Sequence, residues 1–308
     1  MIQKWVLKAI VQKTISFLPY SQRINYFFQK YVTKGVFLSD AYFEDRLEHA
    51  RHHIGAWECY SGGAPLHSTL ELGAGWYPVV PIAMYLYGAE EIRTADISLL
   101  TNAGHLRTTI RKFLDYADHG KLETYVRARP DRLEYLRELA SDNALGFEQL
   151  TDALHIRYLV QDARQLPLSD GSIDLVHSNN TFEHIYPEIL SGILREFRRI
   201  ARPDGVQSHF IDLSDHFAHF DTSINMYHFL RFSPAVWAWI DNSVQPLSRL
   251  RIPDYRRLYH EAGLPITVEN LRPGDLEALR QVVVHPFFQS NTEAENAVSH
   301  GYFFSKMD

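Results

Sequence analysis

The chain has 308 residues, 45% of them hydrophobic and 22% charged, with a net charge of −6. That make-up suits one large α/β domain or two small ones and gives no reason to expect a nucleic-acid partner. The single cysteine, Cys59, excludes an intramolecular disulfide and a cysteine zinc cluster, and fits a reducing, cytoplasmic compartment.

The charge is uneven along the chain. Residues 1–39 hold Lys4, Lys8, Lys13, Arg23, Lys30 and Lys34, and all 37 acids lie beyond them. Lysines interrupt the opening apolar stretch well short of the ~20 residues that span a bilayer, and the pattern of a cleavable signal is missing. Lys4, Lys8 and Gln12 share one helical face, with Ile2, Trp5, Val6 and Ile10 on or beside the other. The spacing predicts a basic amphipathic helix within residues 1–20. It either packs on its own domain or rests on an anionic membrane surface, which would make the protein membrane-peripheral. Residues 1–66 read as a helical N-terminal extension. Its second helix runs from a Ser39 or Asp40 cap to a Gly62-Gly63 stop.

From residue 67 to 308 short β runs alternate with helices, the mark of a doubly wound α/β sheet. Strands are expected at 68–73, 91–97, 156–161, 173–178, 206–213, 266–271 and 301–306, with helices over 78–88, 187–201 and 251–263. Two segments exceed simple crossovers. A helical insertion occupies about 98–155. A loop over about 214–250 is rich in histidine and aromatics. Both follow the carboxyl end of a strand, where open α/β sheets bind ligands, so either could wall a substrate site.

The first strand ends in Gly73-Ala74-Gly75 and continues with Trp76, Tyr77 and Pro78. Two glycines allow a ligand close to the backbone. A dinucleotide turn would need a third glycine at 78, where proline instead starts the helix. Glu71 precedes the turn, Asp96 ends the second strand and Asp162 follows the third. Acids at three consecutive strand ends suit a cationic, hydroxyl-bearing ligand better than a pyrophosphate.

These features, with "LELGAG", "TADIS" and "VQDARQLPLSDGSIDLVHSNNTFEHI", resemble the class I S-adenosylmethionine-dependent methyltransferases, in particular the small-molecule enzymes of the type 11 kind. The resemblance covers about residues 67–213. Its most specific part is Asp162, Leu166-Pro167, Asp170-Gly171, Asp174-Leu175-Val176 and Glu183-His184. It implies a seven-stranded Rossmann-like methyltransferase sheet and S-adenosyl-L-methionine as cofactor. It places Glu71, Gly73, Ala74 and Gly75 at the methionine portion, Asp96 and Ile97 at the ribose, Asp162 and Ala163 at the adenine, and Ser178 and Asn179 near the reacting methyl. Asp204 and Tyr77 stand where the family prefers glycine.

Methyl transfer needs an acceptor atom aligned behind the methyl, and a base only for a poor nucleophile. His184, just past the fourth strand, is the first candidate for a base or acceptor-orienting group, against a plain role capping the next helix; Glu183 is expected to point elsewhere. His216 is the second candidate, with His219, Asp221 and Tyr227 as substrate contacts. The spacing of His216, His219 and Asp221 is compatible with a metal. The interleaved aromatics point instead to a pocket wall or a loop packed on the sheet edge, and no metal is expected. The leading expectation is methyl transfer to a small-molecule acceptor: a saccharide, a lipid-linked intermediate or an aromatic metabolite. A non-catalytic cofactor-binding partner subunit is the alternative. An NAD-dependent oxidoreductase is disfavoured by Pro78 and Glu71.

Overall fold

The computed structural model describes residues 3–17 and 37–307; Ile2, Arg23, Lys30 and Lys34 of the basic segment lie outside them. Alternation in the sequence becomes one sheet of β1 (Ser68–Leu72), β2 (Glu91–Asp96), β3 (Ile156–Val160), β4 (Ile173–Asn179), β5 (Ala201–Asp212), β6 (Val268–Arg272) and β7 (His300–Lys306). The spatial order is β3-β2-β1-β4-β5-β7-β6. The first five run parallel, and β7 is antiparallel to both neighbours. β1 is buried along its whole length, with Leu70 opposite Arg93 on one side and Val176 on the other. The order reverses between β1 and β4, so the ligand crevice of a doubly wound sheet opens beyond their carboxyl ends.

One acid of the family motif sets this register. Asp174 Oδ2 accepts from the backbone N–H of His67 (3.0 Å) and Ser68 (2.8 Å) and from Ser68 Oγ, fixing the start of β1 against β4. The turn after the following helix is not a simple turn. "RPDG" is an outward excursion within β5, between pairing at Ala201 and pairing at Val206. Asp204 takes the left-handed conformation there, with φ of 62°, which explains the family's glycine at this position.

Helices cover both faces. On one lie α2 (Asp40–Tyr60), α3 (Val79–Tyr87) and the insertion, which consists of α4 (Ala103–Asp118), α5 (Pro130–Ser141) and α6 (Phe147–Ala153). Ser39 caps α2, its Oγ accepting from the Tyr42 N–H. The insertion packs as part of this layer: Arg132 donates to the carbonyls of Tyr85 and Ala89, and Tyr116 to Glu44. On the other face α7 (Pro187–Ile200) buries Leu190, Ile193, Leu194, Phe197 and Ile200, a stripe at helical spacing, beside α9 (Ile252–Ala262). Each such side chain contributes about 1.5–3 kcal/mol when withdrawn from water.

A third, smaller core joins α1 (Lys4–Ser16) to the 214–250 segment and its helix α8 (Pro234–Ile240), and to α10 (Leu276–Arg280). The helix expected here forms with Trp5 and Val6 towards the core and Lys4 exposed as expected, but Gln12 and Ile10 exchange places. Trp5, Ala9, Gln12 and Ile15 go inward, while Leu7, Ile10 and Phe17 are exposed. The inward face is anchored by Trp5, whose ring packs on Phe217, His228 and Phe232 and whose N–H donates to Asp221 Oδ2 at 2.9 Å. Lys13 Nζ then reaches the carbonyls of Ala238 and Asp241 at the end of α8. Fully buried Arg251 closes the segment by donating to the carbonyls of Leu213, Asn296 and Val298, each at 2.6 Å, the latter two around the end of α11 (Glu293–Ala297). Among the described residues no helix is long and apolar enough to cross a membrane.

Candidate active site

The carboxyl ends of β1 and β2 form the first half of the crevice. Gly73 and Gly75 both take left-handed backbone, with φ of 87° and 59°. The Gly73 N–H donates to the Ala95 carbonyl at 2.9 Å, extending the β1–β2 ladder into the turn. A Cβ on Gly73 would lie 2.3 Å from Thr181 Oγ1, whereas one on Gly75 would meet only the Tyr42 hydroxyl, at 4.0 Å. The first glycine therefore lets Thr181 in, and the second keeps the crevice side of the turn open. Asp96 accepts from Ser98 and is held by backbone N–H groups that include Ala74, tying the two strand ends together. Burial still raises its pKa. Ile97 is exposed beside it. Trp76 and Tyr77 both face the His105 ring at the start of α4.

Glu71 lies in the floor. It is 5% exposed, and burial pushes its pKa up to about 8. Oε1 accepts from Asn179 Nδ2 (3.3 Å), while Oε2 has no hydrogen-bond partner. Asn179 Oδ1 lies 2.8 Å from His53 Nε2, and His53 Nδ1 lies 2.6 Å from Ser208 Oγ. Burial holds His53 near a pKa of 3, so it is neutral. This chain of bonds joins α2 to β1, β4 and β5. Tyr42, Arg46, His49 and His53 recur at helical spacing along one face of α2, a polar stripe on a core-facing helix that could have flagged them in advance.

Other expected cofactor residues are placed differently. Ser178 is fully buried on the opposite side of β4, with Oγ 2.9 Å from His209 Nδ1. Ala163 is buried near the start of the loop after β3. Asp162 is half exposed, and its hydrogen bonds with Arg164 hold its pKa low.

The ends of β4 and β5 form the second half. Phe182–His184 is a single 3-10 turn, so the expectation that Glu183 points away from His184 is corrected. Glu183, His184 and His216 each bring one carboxylate oxygen or ring nitrogen within 4.8 Å of the others. His184 Nδ1 is 2.6 Å from the Pro246 carbonyl, and its ring lies edge-on to His216 with centroids 4.9 Å apart. Burial, then His216, lowers the His184 pKa to about 4. His216 Nε2 is 3.4 Å from Asp212 Oδ2. Burial pushes Asp212 up, but His216 and Ser214 outweigh it and hold the carboxyl below the usual range. Glu183 is shifted well upward by burial and by the Asp212 charge.

The more distant loop residues divide. His219 stacks on His216 and touches Ser214 Oγ at 3.2 Å. Asp221 is occupied by Trp5 and Ser223, and the Tyr227 hydroxyl by the Ala297 carbonyl and the Asp275 N–H. The trio His216, His219 and Asp221 therefore does not assemble; Glu183 and His184 join His216 instead.

A family model described as a methyltransferase domain matches residues 110–208, from within α4 to the middle of β5. That stretch is a methyltransferase domain. The matched stretch includes the Glu183-His184 turn and ends before the 214–250 segment. No curated protein matches this methyltransferase. Among solved structures it is similar to geranyl diphosphate C-methyltransferase from Streptomyces coelicolor A3(2), at 13% identity over 95% of this chain and 99% of that one, TM-score 0.48. It is also similar to a candidate O-methyltransferase from Nostoc punctiforme PCC 73102, at 12% identity over 98% of this chain and 66% of that one, TM-score 0.44. The PH0226 protein from Pyrococcus horikoshii OT3 is 19% identical over 60% of this chain and 65% of that one, TM-score 0.36. These distant likenesses carry nothing about the acceptor.

The cofactor of the methyltransferase is S-adenosylmethionine. The crevice fits a cation that carries hydroxyls and no phosphate. Glu71 Oε2 is an unpartnered buried oxygen, Asp96 ends the neighbouring strand, and Gly75 leaves the turn open.

Proposed function

We propose that this methyltransferase acts on an oxygen of a lipid-linked small molecule, which meets the enzyme at the ends of β4 and β5. In this reading Glu71, Gly73, Ala74 and Gly75 hold the methionine portion of the cofactor. Asp96 and Ile97 take the ribose, Asp162 and Ala163 flank the adenine, and Asn179 sits near the reacting centre. Bound S-adenosylmethionine supplies a methyl group on a positively charged sulfur. An alcohol must shed its proton as its oxygen bonds to carbon. The group of Glu183, His184, Asp212 and His216 provides for that, because two imidazoles lie against two carboxyls. The observation that carries the reading is this grouping beside the Asn179–Glu71 end of the crevice, contributed by the segments that follow β4 and β5.

The lipid-linked choice among saccharide, lipid-linked and aromatic acceptors rests on the outer face of the same wall. Lys8 and Gln12 of α1 share a small cavity with His216. Outward from them, Leu7, Ile10 and Phe17 of α1 and Val236 and Trp239 of α8 are exposed, Phe17 at 78% and Trp239 at 82%. Six basic residues and no acid in residues 1–39 complement an anionic bilayer. The first test is turnover: methyl transfer from labelled cofactor to a panel of lipid-linked, free-sugar and phenolic alcohols, where absence of transfer to any lipid-linked alcohol refutes the acceptor class. The second is co-sedimentation with phosphatidylserine vesicles, expected to drop several-fold for Trp239→Glu with Leu7→Glu. Unchanged sedimentation would remove the membrane contact.

A further inference from the structure

We infer that Glu183, His184 and His216 form a binding site for one first-row divalent transition-metal ion. The argument begins with Glu183. It is 2% exposed, yet neither carboxylate oxygen has an aligned hydrogen-bond donor. The backbone N–H groups of Glu183 itself and of Asp212 approach it, and Arg46 acts on it from a distance. Burying a carboxyl this deeply costs several kcal/mol unless a counter-charge meets it.

The two histidines supply what such an ion needs. The Pro246 carbonyl can only accept, so the His184 Nδ1 that faces it at 2.6 Å carries the hydrogen and Nε2 keeps a lone pair. His216 is held more loosely by a carboxylate: Asp212 Oδ2 lies 3.4 Å from Nε2, without an aligned hydrogen bond. An imidazole whose far nitrogen faces a backbone carbonyl or a carboxylate is the usual form of a metal-ligating histidine, since the outer partner fixes tautomer and ring orientation. The three donor atoms lie within 4.8 Å of one another. Ligands of a tetrahedral ion at ordinary bond lengths are roughly 3.3 Å apart, so small side-chain rotations close the site. Two nitrogens and one carboxylate oxygen favour Zn2+, Co2+ or Fe2+ over Mg2+ and Ca2+, which take oxygen ligands.

The existence of the site does not depend on the acceptor, but its role rests on the reading above. An alcohol oxygen held by the ion would become more acidic.

The test uses the full chain stripped with a chelator and titrated with Zn2+ by calorimetry and with Co2+ by visible absorption. One equivalent is expected, with tetrahedral-type Co2+ bands. Glu183→Gln, His184→Ala and His216→Ala should each weaken binding at least tenfold, while His52→Ala and His260→Ala, at histidines elsewhere, should not. S-adenosylhomocysteine affinity within twofold of wild type establishes that each variant is folded; any variant that fails this is replaced by its Asn counterpart. Absence of stoichiometric binding, or normal binding in any two of the three ligand variants, overturns the site. The two proposals fail separately. Full methyl transfer by chelated protein that binds neither ion removes the metal and keeps the transfer. Stoichiometric binding without transfer to any alcohol does the reverse.

Discussion

The two halves of the crevice are built in opposite ways. The half proposed for the cofactor is local: Glu71, Gly73, Ala74 and Gly75 follow one another at the end of β1, and Asp96 ends the adjacent strand. The half proposed for the acceptor is assembled from afar, with Glu183 and His184 from the turn after β4 and His216 from beyond β5. The first half depends on backbone conformation, which a strand-turn-helix fixes once. The second depends on side chains carried by segments that vary in length. A fold built this way can keep one cofactor while exchanging acceptors.

The sharpest way to break the comparison is at His216. His216→Ala should lower methyl transfer by about 10²–10⁴-fold while S-adenosylhomocysteine binding stays within twofold. A parallel loss of cofactor affinity would mean that the two halves are not independent. Gly73→Ala tests the other half. Its Cβ would collide with Thr181 Oγ1 and demand a left-handed alanine, a conformation that alone costs about 1–2 kcal/mol. Calorimetry should record at least a tenfold weaker cofactor affinity, and unchanged affinity would remove the close-approach role of the turn.

A subtler effect follows from Glu71. Its folded pKa of about 8 stands above the ordinary 4.5, because burial disfavours the charge. The folded state therefore keeps a proton that the unfolded chain releases. Its contribution is undiminished below about pH 4.5, and stability declines as pH rises towards 8, by on the order of a few kcal/mol. Glu71→Gln should gain thermal stability over wild type across that window and lose the gain at pH 4. S-adenosylmethionine, a cation, should bind wild type more tightly as pH passes 8, and S-adenosylhomocysteine much less so. Equal pH profiles for the two ligands would place the sulfonium away from Glu71. The smallest expected effect comes from His53, whose lowered pKa works the other way. Its stability contribution is present above about pH 6.5 and is lost as pH falls towards 3. His53→Gln should flatten part of the acid limb of the melting curve.

The sequence carried the strand ends of β1 and β2 almost entirely, since strand periodicity, the glycine pair and the acids at strand ends are properties of neighbouring residues. It carried less of the acceptor half. His184 and His216 were legible as histidines after strands. Their meeting with Glu183 was not, because it depends on a 3-10 turn in place of a longer helix. His53 was hidden for the same reason: its partners Asn179 and Ser208 lie on strands more than a hundred residues away. On α1 the expectation for Trp5 and Lys4 held, while Gln12 turned inward to donate to Gln245 Oε1, a partner 233 residues away, and Ile10 was left exposed. Asp162 is where local chemistry prevailed, with Arg164 two residues on taking the carboxylate.

Arg251 has a wider consequence. By holding Leu213 at one end and standing at the other end itself, it turns residues 214–250 into a tethered cassette whose exits from the sheet are fixed by three backbone carbonyls. Carbonyls do not change when side chains mutate. The cassette's side chains can therefore change without releasing its exits from the sheet.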